Sequence, residues 1–497
     1  MRVGVAVCGD LASFGLDPDA VSGELRQRGV AAEVVPGPCA RAGMVDGWER
    51  TLFAVCPAGP SGDEVRSRAR RAGADPGVGA VRVDAVEAGA HGPEEGRDGR
   101  VATVLRARLA GLAAAPPSPP EGFRMALPAG RMSRRSLLSC GGVRYVPVAA
   151  VGQGACRGSA ACGLCVDACP VGAIRRGGPV PEVDRDACIG CGACVTACPV
   201  EGAASLPGAD PVRFEAELAA LLERSDGAGL LIRCAGAPPP PDDRLGGAWL
   251  PMEVPCLSIV TAAWALSALA GGARAVAFRG CGAACGAGSA DRAGTIVSFV
   301  HEVLGLVGTD TSDRVRLLLP EDDDEPSAGA DPVDLPPLAC ATRAPALREP
   351  AATASALAIL GAADGRLTNE GSPLGRVVFG SDGCTMCGLC AAVCPTEALR
   401  FDQGAVVASL DLDPAACVGC GHCAAICPEG VLEIHRGVDL AELGAGREPL
   451  KGSPLARCRR CGDPIAPAAM LDRLRPALDP VVLATTEQLC QRCRGLG

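Results

Sequence analysis

Four runs of cysteine set the chemistry of this chain. Cys188-Ile-Gly-Cys191-Gly-Ala-Cys194-Val-Thr-Ala-Cys198-Pro199 is an unbroken C-x2-C-x2-C-x3-C-P pattern. Cys384, Cys387, Cys390 and Cys394 before Pro395 repeat it, as do Cys417, Cys420, Cys423 and Cys427 before Pro428. In this spacing a compact loop carries three thiolates to three irons of one cubane, and small residues let backbone N–H groups approach the sulfides. The proline ends the loop, and the fourth cysteine reaches the neighbouring cluster. Ligation is therefore expected to be crossed: Cys188, Cys191 and Cys194 with Cys169; Cys384, Cys387 and Cys390 with Cys427; Cys417, Cys420 and Cys423 with Cys394. Zinc also accepts C-x2-C pairs, but three unbroken runs, each closed by proline, favour [4Fe–4S] clusters.

The first run departs from the pattern. Cys162, Cys165 and Cys169-Pro170 are in place, but Ser159 stands where the leading cysteine belongs, and Cys156 lies three residues earlier. The expected ligands are Cys156, Cys162 and Cys165 with Cys198, because the small residues between Cys156 and Cys162 let the chain swing in. A three-iron cluster, or ligation through the Ser159 oxygen, is the alternative.

The elements that must hold these loops alternate. Between the two paired runs, residues 212–225 have helical periodicity, Leu230–Arg233 reads as a buried strand ending at Cys234, and Trp249–Val254 leads to Cys256. A helix over 257–271, a strand over Arg274–Phe278 ending in Gly280-Cys281-Gly-Ala-Ala-Cys285, a helix over 291–306 and a strand over Val315–Leu319 complete a parallel-sheet pattern. Three strand ends each deliver cysteine to the carboxyl edge, where open α/β sheets bind ligands. Cys234, Cys256, Cys281 and Cys285 supply the four thiolates of a [2Fe–2S] cluster; four unrelated buried thiols are the bland alternative. Near the C-terminus, Cys458-Arg-Arg-Cys461 and Cys490-Gln-Arg-Cys493 form two knuckles around a helix expected at 467–476, the spacing of a closed tetrahedral zinc site. Cys8, Cys39 and Cys56 fall at or near strand ends of an N-terminal α/β segment, with Cys140 as a further thiol; metal binding there and simple core packing are both open.

Length and composition agree. At roughly 100–200 residues per domain, 497 residues make three to five domains. A chain of that size buries a core without disulfide staples, so 29 cysteines point to metal. The net charge of −10, with Lys451 as the sole lysine, argues against nucleic acid as a partner. Only 8 Phe, 3 Trp and 1 Tyr are present, so stacking platforms for bases are not expected. Val254–Ala273 is the most apolar run, but Pro255 interrupts it and a strand follows directly, so a buried helix is expected and no membrane span. The opening MRVGVAVCGD shows no charged n-region with a long apolar stretch, and Ser133-Arg134-Arg135-Ser136-Leu137-Leu138 is followed by too much glycine and polarity for an export signal. A cytoplasmic location is the expectation. His422 is expected as an exposed spacer within its cluster loop.

The middle segment resembles the small iron–sulfur (delta) subunit of methyl-viologen-reducing hydrogenase, through strand-end Cys234, Cys256 in Val-Pro-Cys, and Gly280-Cys281-x3-Cys285. That family usually has an extra cysteine near the first position, where Cys234 here stands alone. The first ~60 residues are similar to the N-terminal region of the heterodisulfide reductase A subunit: Val3–Gly9 with Cys8, then Cys39, then Phe53-Ala54-Val55-Cys56-Pro57. That subunit also carries ferredoxin modules and a flavin domain. No dinucleotide fingerprint follows a strand here, so no flavin is expected: Gly152-Gln153-Gly154 runs into cysteine. The resemblance implies electron relay.

The fold expected is α/β plus α+β. An N-terminal α/β domain (1–112) and a linker (113–149) precede a bacterial-type dicluster ferredoxin module (150–208) and the parallel-sheet α/β iron–sulfur domain (209–320). An acidic linker and helix (321–371), a second ferredoxin module (372–436) and a C-terminal zinc-ribbon-like knuckle (450–497) follow. The function expected is a multi-cluster electron-transfer subunit carrying four [4Fe–4S] clusters, one [2Fe–2S] cluster and one zinc. Its partners would be a hydrogenase, a formate dehydrogenase or a heterodisulfide-reductase-like complex. The competing class is a catalytic subunit that reduces a disulfide or quinone at an open-sided cluster.

Overall fold

The computed structural model describes residues 2–35, 48–74, 79–118, 120–126, 144–158, 162–224, 227–241, 245, 247–308, 313–323, 331–339, 346–362 and 364–495. The chain forms two compact units, Met1–Ser159 with Gly163–Gly361, and Ala160–Cys162 with Ala362–Gly497. Several small sheets and short helices give a mixed α/β protein.

The first unit opens with a sheet of β1 (Val3–Cys8), β2 (Ala32–Val35), β3 (Arg50–Val55) and β4 (Ala80–Asp84). All its pairings are parallel, in the order β2-β1-β3-β4. Helices cover it: α1 (Pro18–Gln27), started by Pro18 at its first position and by the Asp17 carboxylate accepting two backbone N–H groups, α2 (Gly62–Arg71) and α3 (Arg97–Ala114). β1 and β3 are buried almost throughout, as strands covered on both faces must be.

The segment expected as a linker over 113–149 begins inside α3 and contains an antiparallel pair, β5 (Phe123–Ala126) with β6 (Arg144–Pro147). Four-residue strands leave too little period-2 signal to read. The first ferredoxin stretch follows, with a short helix, α4 (Ala193–Ala197), set between Cys191 and Cys198.

A second parallel sheet is built from β7 (Gly229–Cys234), β8 (Trp249–Val254), β9 (Val276–Arg279) and β10 (Val315–Leu318), in the order β8-β7-β9-β10. Four helices surround it: α5 (Pro211–Leu222), α6 (Ala262–Ala270), α7 (Ser289–Leu306) and α8 (Ala351–Ile359). On α5, Phe214, Glu217, Leu218 and Leu221 are buried at helical spacing, and the Phe214 ring lies 5.2 Å from Trp264 of α6. The helix expected over 257–271 starts only at Ala262. A 3-10 turn, Leu257–Ile259, comes first because the extended Cys256 caps it through its sulfur. Every residue of α6 is buried, and among the described residues no helix is long and apolar enough to cross a membrane. At the acidic linker the chain makes single 3-10 turns, Pro320–Asp322 and Pro332–Asp334.

The two parallel sheets are joined by α3 packed along α5. Across that contact Arg108 pairs with Glu217 at 3.2 Å, both buried, and donates to the Glu253 carbonyl at 2.9 Å. Arg233, next to Cys234, pairs with Glu87 at 2.8 Å and Glu253 at 2.6 Å. Buried charges survive only when paired in this way.

In the second unit, β11 (Arg366–Thr368), β12 (Gly375–Phe379) and β15 (Leu432–Asp439) form an antiparallel sheet in the order β11-β15-β12. β13 (Leu399–Gln403), β14 (Val407–Leu412), β16 (Glu448–Arg457) and β17 (Pro464–Pro467) form another, in that order. The C-terminal segment, expected as a separate knuckle, is thus an extension of the ferredoxin sheet. β14 pairs with β16, and Leu455 shares a core with Met386, Leu399 and Leu410. α9 (Ala468–Leu474) and α10 (Pro480–Gln488) complete the unit.

Candidate metal centres

Three thiol-lined cavities recur with one design. In the first unit Cys169, Cys188, Cys191 and Cys194 line a cavity of about 320 Å³ closed by Pro170, Ile174 and Leu206. Gly190 and Gly192 turn the loop at φ +71° and +77°, a conformation that L side chains rarely adopt. Burial, reinforced by Cys191 and Cys188, pushes the Cys194 thiol up to about 12.

In the second unit Cys384, Cys387 and Cys390 line a cavity of about 400 Å³ with Cys427, Pro428, Phe401 and Leu432. Met386, at the unusual φ of +59°, turns its N–H to within 3.4 Å of the Cys384 sulfur. Next to it, Cys417, Cys420 and Cys423 share a cavity of about 340 Å³ with Cys394, Pro395, Val377 and Ile434. Gly375 is required here, since a Cβ would sit 2.3 Å from the Gly419 Cα and 3.0 Å from the Cys417 sulfur. Burial raises Cys390 and Cys417 to about 11 and Cys423 to about 12. Four sulfurs gathered inside an apolar wall are stable together as thiolates when a cation shares their charge. Each donor set therefore fits a cubane cluster, with three sulfurs from one run and one from its pair. His422, expected to be exposed, is half-buried with a shielded Nδ1, because it opens the short helix His422–Ile426.

Of the first run, Cys162 belongs to the second unit, and Cys156, Cys165 and Cys198 to the first. The Cys156 sulfur accepts the Gly158 N–H at 3.4 Å. Ser159 lies outside the described residues.

At the carboxyl edge of the second parallel sheet, Cys234 and Cys281 bring their sulfurs to 3.6 Å. Hydrogen bonding with Cys256 lowers the Cys234 thiol, and the same contact together with burial raises that of Cys256. Two serines that sequence reasoning missed complete the set. Ser258 contacts the Cys256 sulfur through Oγ at 3.4 Å and its N–H at 3.5 Å, and Ser289 Oγ lies 3.1 Å from Cys285. Against the burial that raises it, hydrogen bonds from Ser289 pull the Cys285 thiol down. The sequence signal was a serine two residues past one candidate ligand and four past another.

Cys458, Cys461, Cys490 and Cys493 place their sulfurs within 4.8 Å of one another, a tetrathiolate of metal-binding size. The turn between β16 and β17 supplies the first pair, and the chain after α10 supplies the second. Backbone hydrogen bonding from Cys490 holds the Cys458 thiol down at about 6, so one ligand is ionised at neutral pH. Cys8 and Cys56 of the first sheet are buried together, and burial raises Cys8 to about 11. Cys39 and Cys140 lie outside the described residues.

A 4Fe-4S dicluster domain family matches residues 383–431, a 4Fe-4S binding domain family matches 180–204, and a further 4Fe-4S binding domain family matches 161–175. No curated protein matches the chain. The chain is an iron–sulfur electron-transfer protein with ferredoxin-type domains.

Proposed function

We propose that the chain is a multi-cluster relay subunit that carries electrons between partner oxidoreductases, such as a hydrogenase, a formate dehydrogenase or a heterodisulfide-reductase-like complex. The observation that carries the reading is the crossed lining of three cavities, each with three cysteines of one run and the cysteine-proline of its pair. A single ferredoxin needs one such pair; two pairs on one chain make a conductor. [4Fe–4S] clusters would supply one-electron carriage at these sites, and the first run, matched over 161–175, adds a fourth.

Cys234, Cys256, Cys281 and Cys285 would hold a [2Fe–2S] cluster, with Ser258 and Ser289 setting its potential through hydrogen bonds to sulfur. Cys458, Cys461, Cys490 and Cys493 would hold a structural zinc that closes the edge of the ferredoxin sheet. The remaining residues keep the sites apolar, which restricts water and sets potential by burial.

Iron, sulfide and zinc analysis of the anaerobically purified full chain tests the reading. The expected result is about 18 iron with matching sulfide and about one zinc per chain, for four cubanes, one binuclear centre and one tetrathiolate. Several zinc with little iron would overturn it.

A further inference from the structure

The first unit brings two of these thiol sets into direct structural contact. Helix α4, which carries Cys194 and leads to Cys198, packs on the Leu257–Ile259 turn, which follows Cys256. The approach is close enough to exclude a side chain. A Cβ on Gly192, between ligand positions 191 and 194, would lie 2.4 Å from Ile259 Cγ2. The Thr196 hydroxyl, midway between Cys194 and Cys198, lies 3.2 Å from the Ala193 carbonyl of its own helix and 3.4 Å from the Ser258 carbonyl, and its proton is shared between the two acceptors. Arg292 of α7 donates to the same carbonyl at 3.4 Å, and α7 begins at Ser289, the partner of Cys285. The Ser258 N–H in turn lies 3.5 Å from the Cys256 sulfur.

We infer that the contact of Gly192 and Thr196 with Ser258 and Ile259 is the electron junction between the Cys169/Cys188/Cys191/Cys194 centre and the Cys234/Cys256/Cys281/Cys285 centre. The inference rests on the relay reading above and gives it a route. One electron leaves the first centre and one enters the second; no bond forms or breaks, and no proton is required. A hydrogen-bonded route runs from α4 through the Thr196 hydroxyl to the Ser258 carbonyl, along the Ser258 backbone to its N–H, and so to the Cys256 sulfur. Ile259 against Gly192 makes a second, dry contact beside it. Both Ser258 and Ile259 are buried, so water does not separate the two sides. Glycine at 192 is required by both its φ of +77° and the 2.4 Å approach. Serine at 258 has two duties, contacting the ligand sulfur and offering its carbonyl to both α4 and α7.

The test is electron paramagnetic resonance of the full chain, reduced stepwise with dithionite. In the unmodified chain the binuclear signal is expected to broaden and relax faster as the cubane centres become paramagnetic. Thr196→Val keeps shape and every thiol, so it is expected to retain iron and both signals while slowing the rapid-freeze appearance of the binuclear signal. Ile259→Ala is expected to slow it as well, by opening the dry contact, and provides a second variant if the first folds poorly. A binuclear signal unaffected by cubane reduction in the unmodified chain would overturn the junction while leaving the relay reading intact. Unchanged transfer in both variants would overturn the assigned route. Absence of any binuclear signal would instead remove the middle centre, and the junction with it.

Discussion

The N-terminal and middle sheets follow one plan and differ in what they do with it. Each has four parallel strands in the spatial order second, first, third, fourth. Each places a cysteine at the end of its first strand, Cys8 or Cys234, and another just past its third, Cys56 or Cys281. In sequence the likeness extends to the second strand, since Cys39 and Cys256 each follow a proline. The described thiols nonetheless live in different surroundings. Cys8 and Cys56 are sealed into the core beside Leu11 and Leu52, and burial holds Cys8 protonated. In the middle sheet Cys281 and Cys285 are only half-buried, and Ser258 and Ser289 place hydroxyl groups in hydrogen-bond contact with the Cys256 and Cys285 sulfurs. Parallel strands deliver thiols to one edge whatever their purpose. What makes a ligand set is the number that meet and the donors that stabilise their anions.

The strongest way to break this comparison is to change equivalent cysteines. Cys281→Ser is expected to abolish the binuclear signal and remove about two iron per chain. Cys56→Ala is expected to leave the iron content at the parent level and to cost about 1 kcal/mol of stability through a small cavity. Iron loss in the second variant would show that both sheets bind metal.

The next effect concerns the ion pair that joins the sheets. Arg108→Ala leaves Glu217 buried without its partner, which is expected to cost about 3–5 kcal/mol of unfolding free energy in urea. If the first unit unfolds in two separate transitions, the sheets are independent and the loss will be confined to one of them.

Before α8, beside the middle sheet, lies an acid whose burial bears on stability. Glu349, half-buried with its Oε2 sealed from solvent, accepts the Ala263 N–H at 2.8 Å and the Thr353 hydroxyl at 2.8 Å, and burial raises its carboxyl to about 7. The folded state therefore keeps a proton that the unfolded chain releases near 4.5. Its contribution is complete below that value and is lost as pH rises through about 7, a decline of about 3 kcal/mol. Glu349→Gln is expected to flatten that part of the stability profile. An unchanged slope would assign the effect to other groups.

The smallest expected effect lies at the C-terminal tetrathiolate, whose thiols, unlike Cys8, include one already ionised. Because protons compete with zinc for the four sulfurs, zinc is expected to stay bound at neutral pH and to be released on acidification. A chromophoric chelator reads this directly. Release that is independent of pH would exclude thiolate ligation.

Much of this was legible in the sequence because cysteine spacing is a local code. The C-x2-C-x2-C-x3-C-P runs named the sulfurs that line all three cavities, and the strand-end cysteines located the second parallel sheet. Helix starts were offset where a ligand interfered, as at Cys256, whose sulfur caps a 3-10 turn before α6. Long-range pairing was not legible. Nothing local in Val407–Leu412 shows that it pairs with Glu448–Arg457 and carries the C-terminal thiols on the ferredoxin sheet. The β5–β6 pair and the hydroxyl partners of Cys256 and Cys285 were equally hidden, since short strands and single serines carry almost no pattern of their own.

The central claim is that crossed cysteine sets make this chain a conductor of electrons. Electron paramagnetic resonance of the dithionite-reduced full chain tests it most directly, compared with Cys427→Ser. The account predicts interacting cubane signals in the parent and selective change of the centre held by Cys384, Cys387 and Cys390 in the variant, with the Cys417, Cys420 and Cys423 centre retained. Loss of the Cys417, Cys420 and Cys423 centre instead, or a reduced protein without cubane signals, would contradict it.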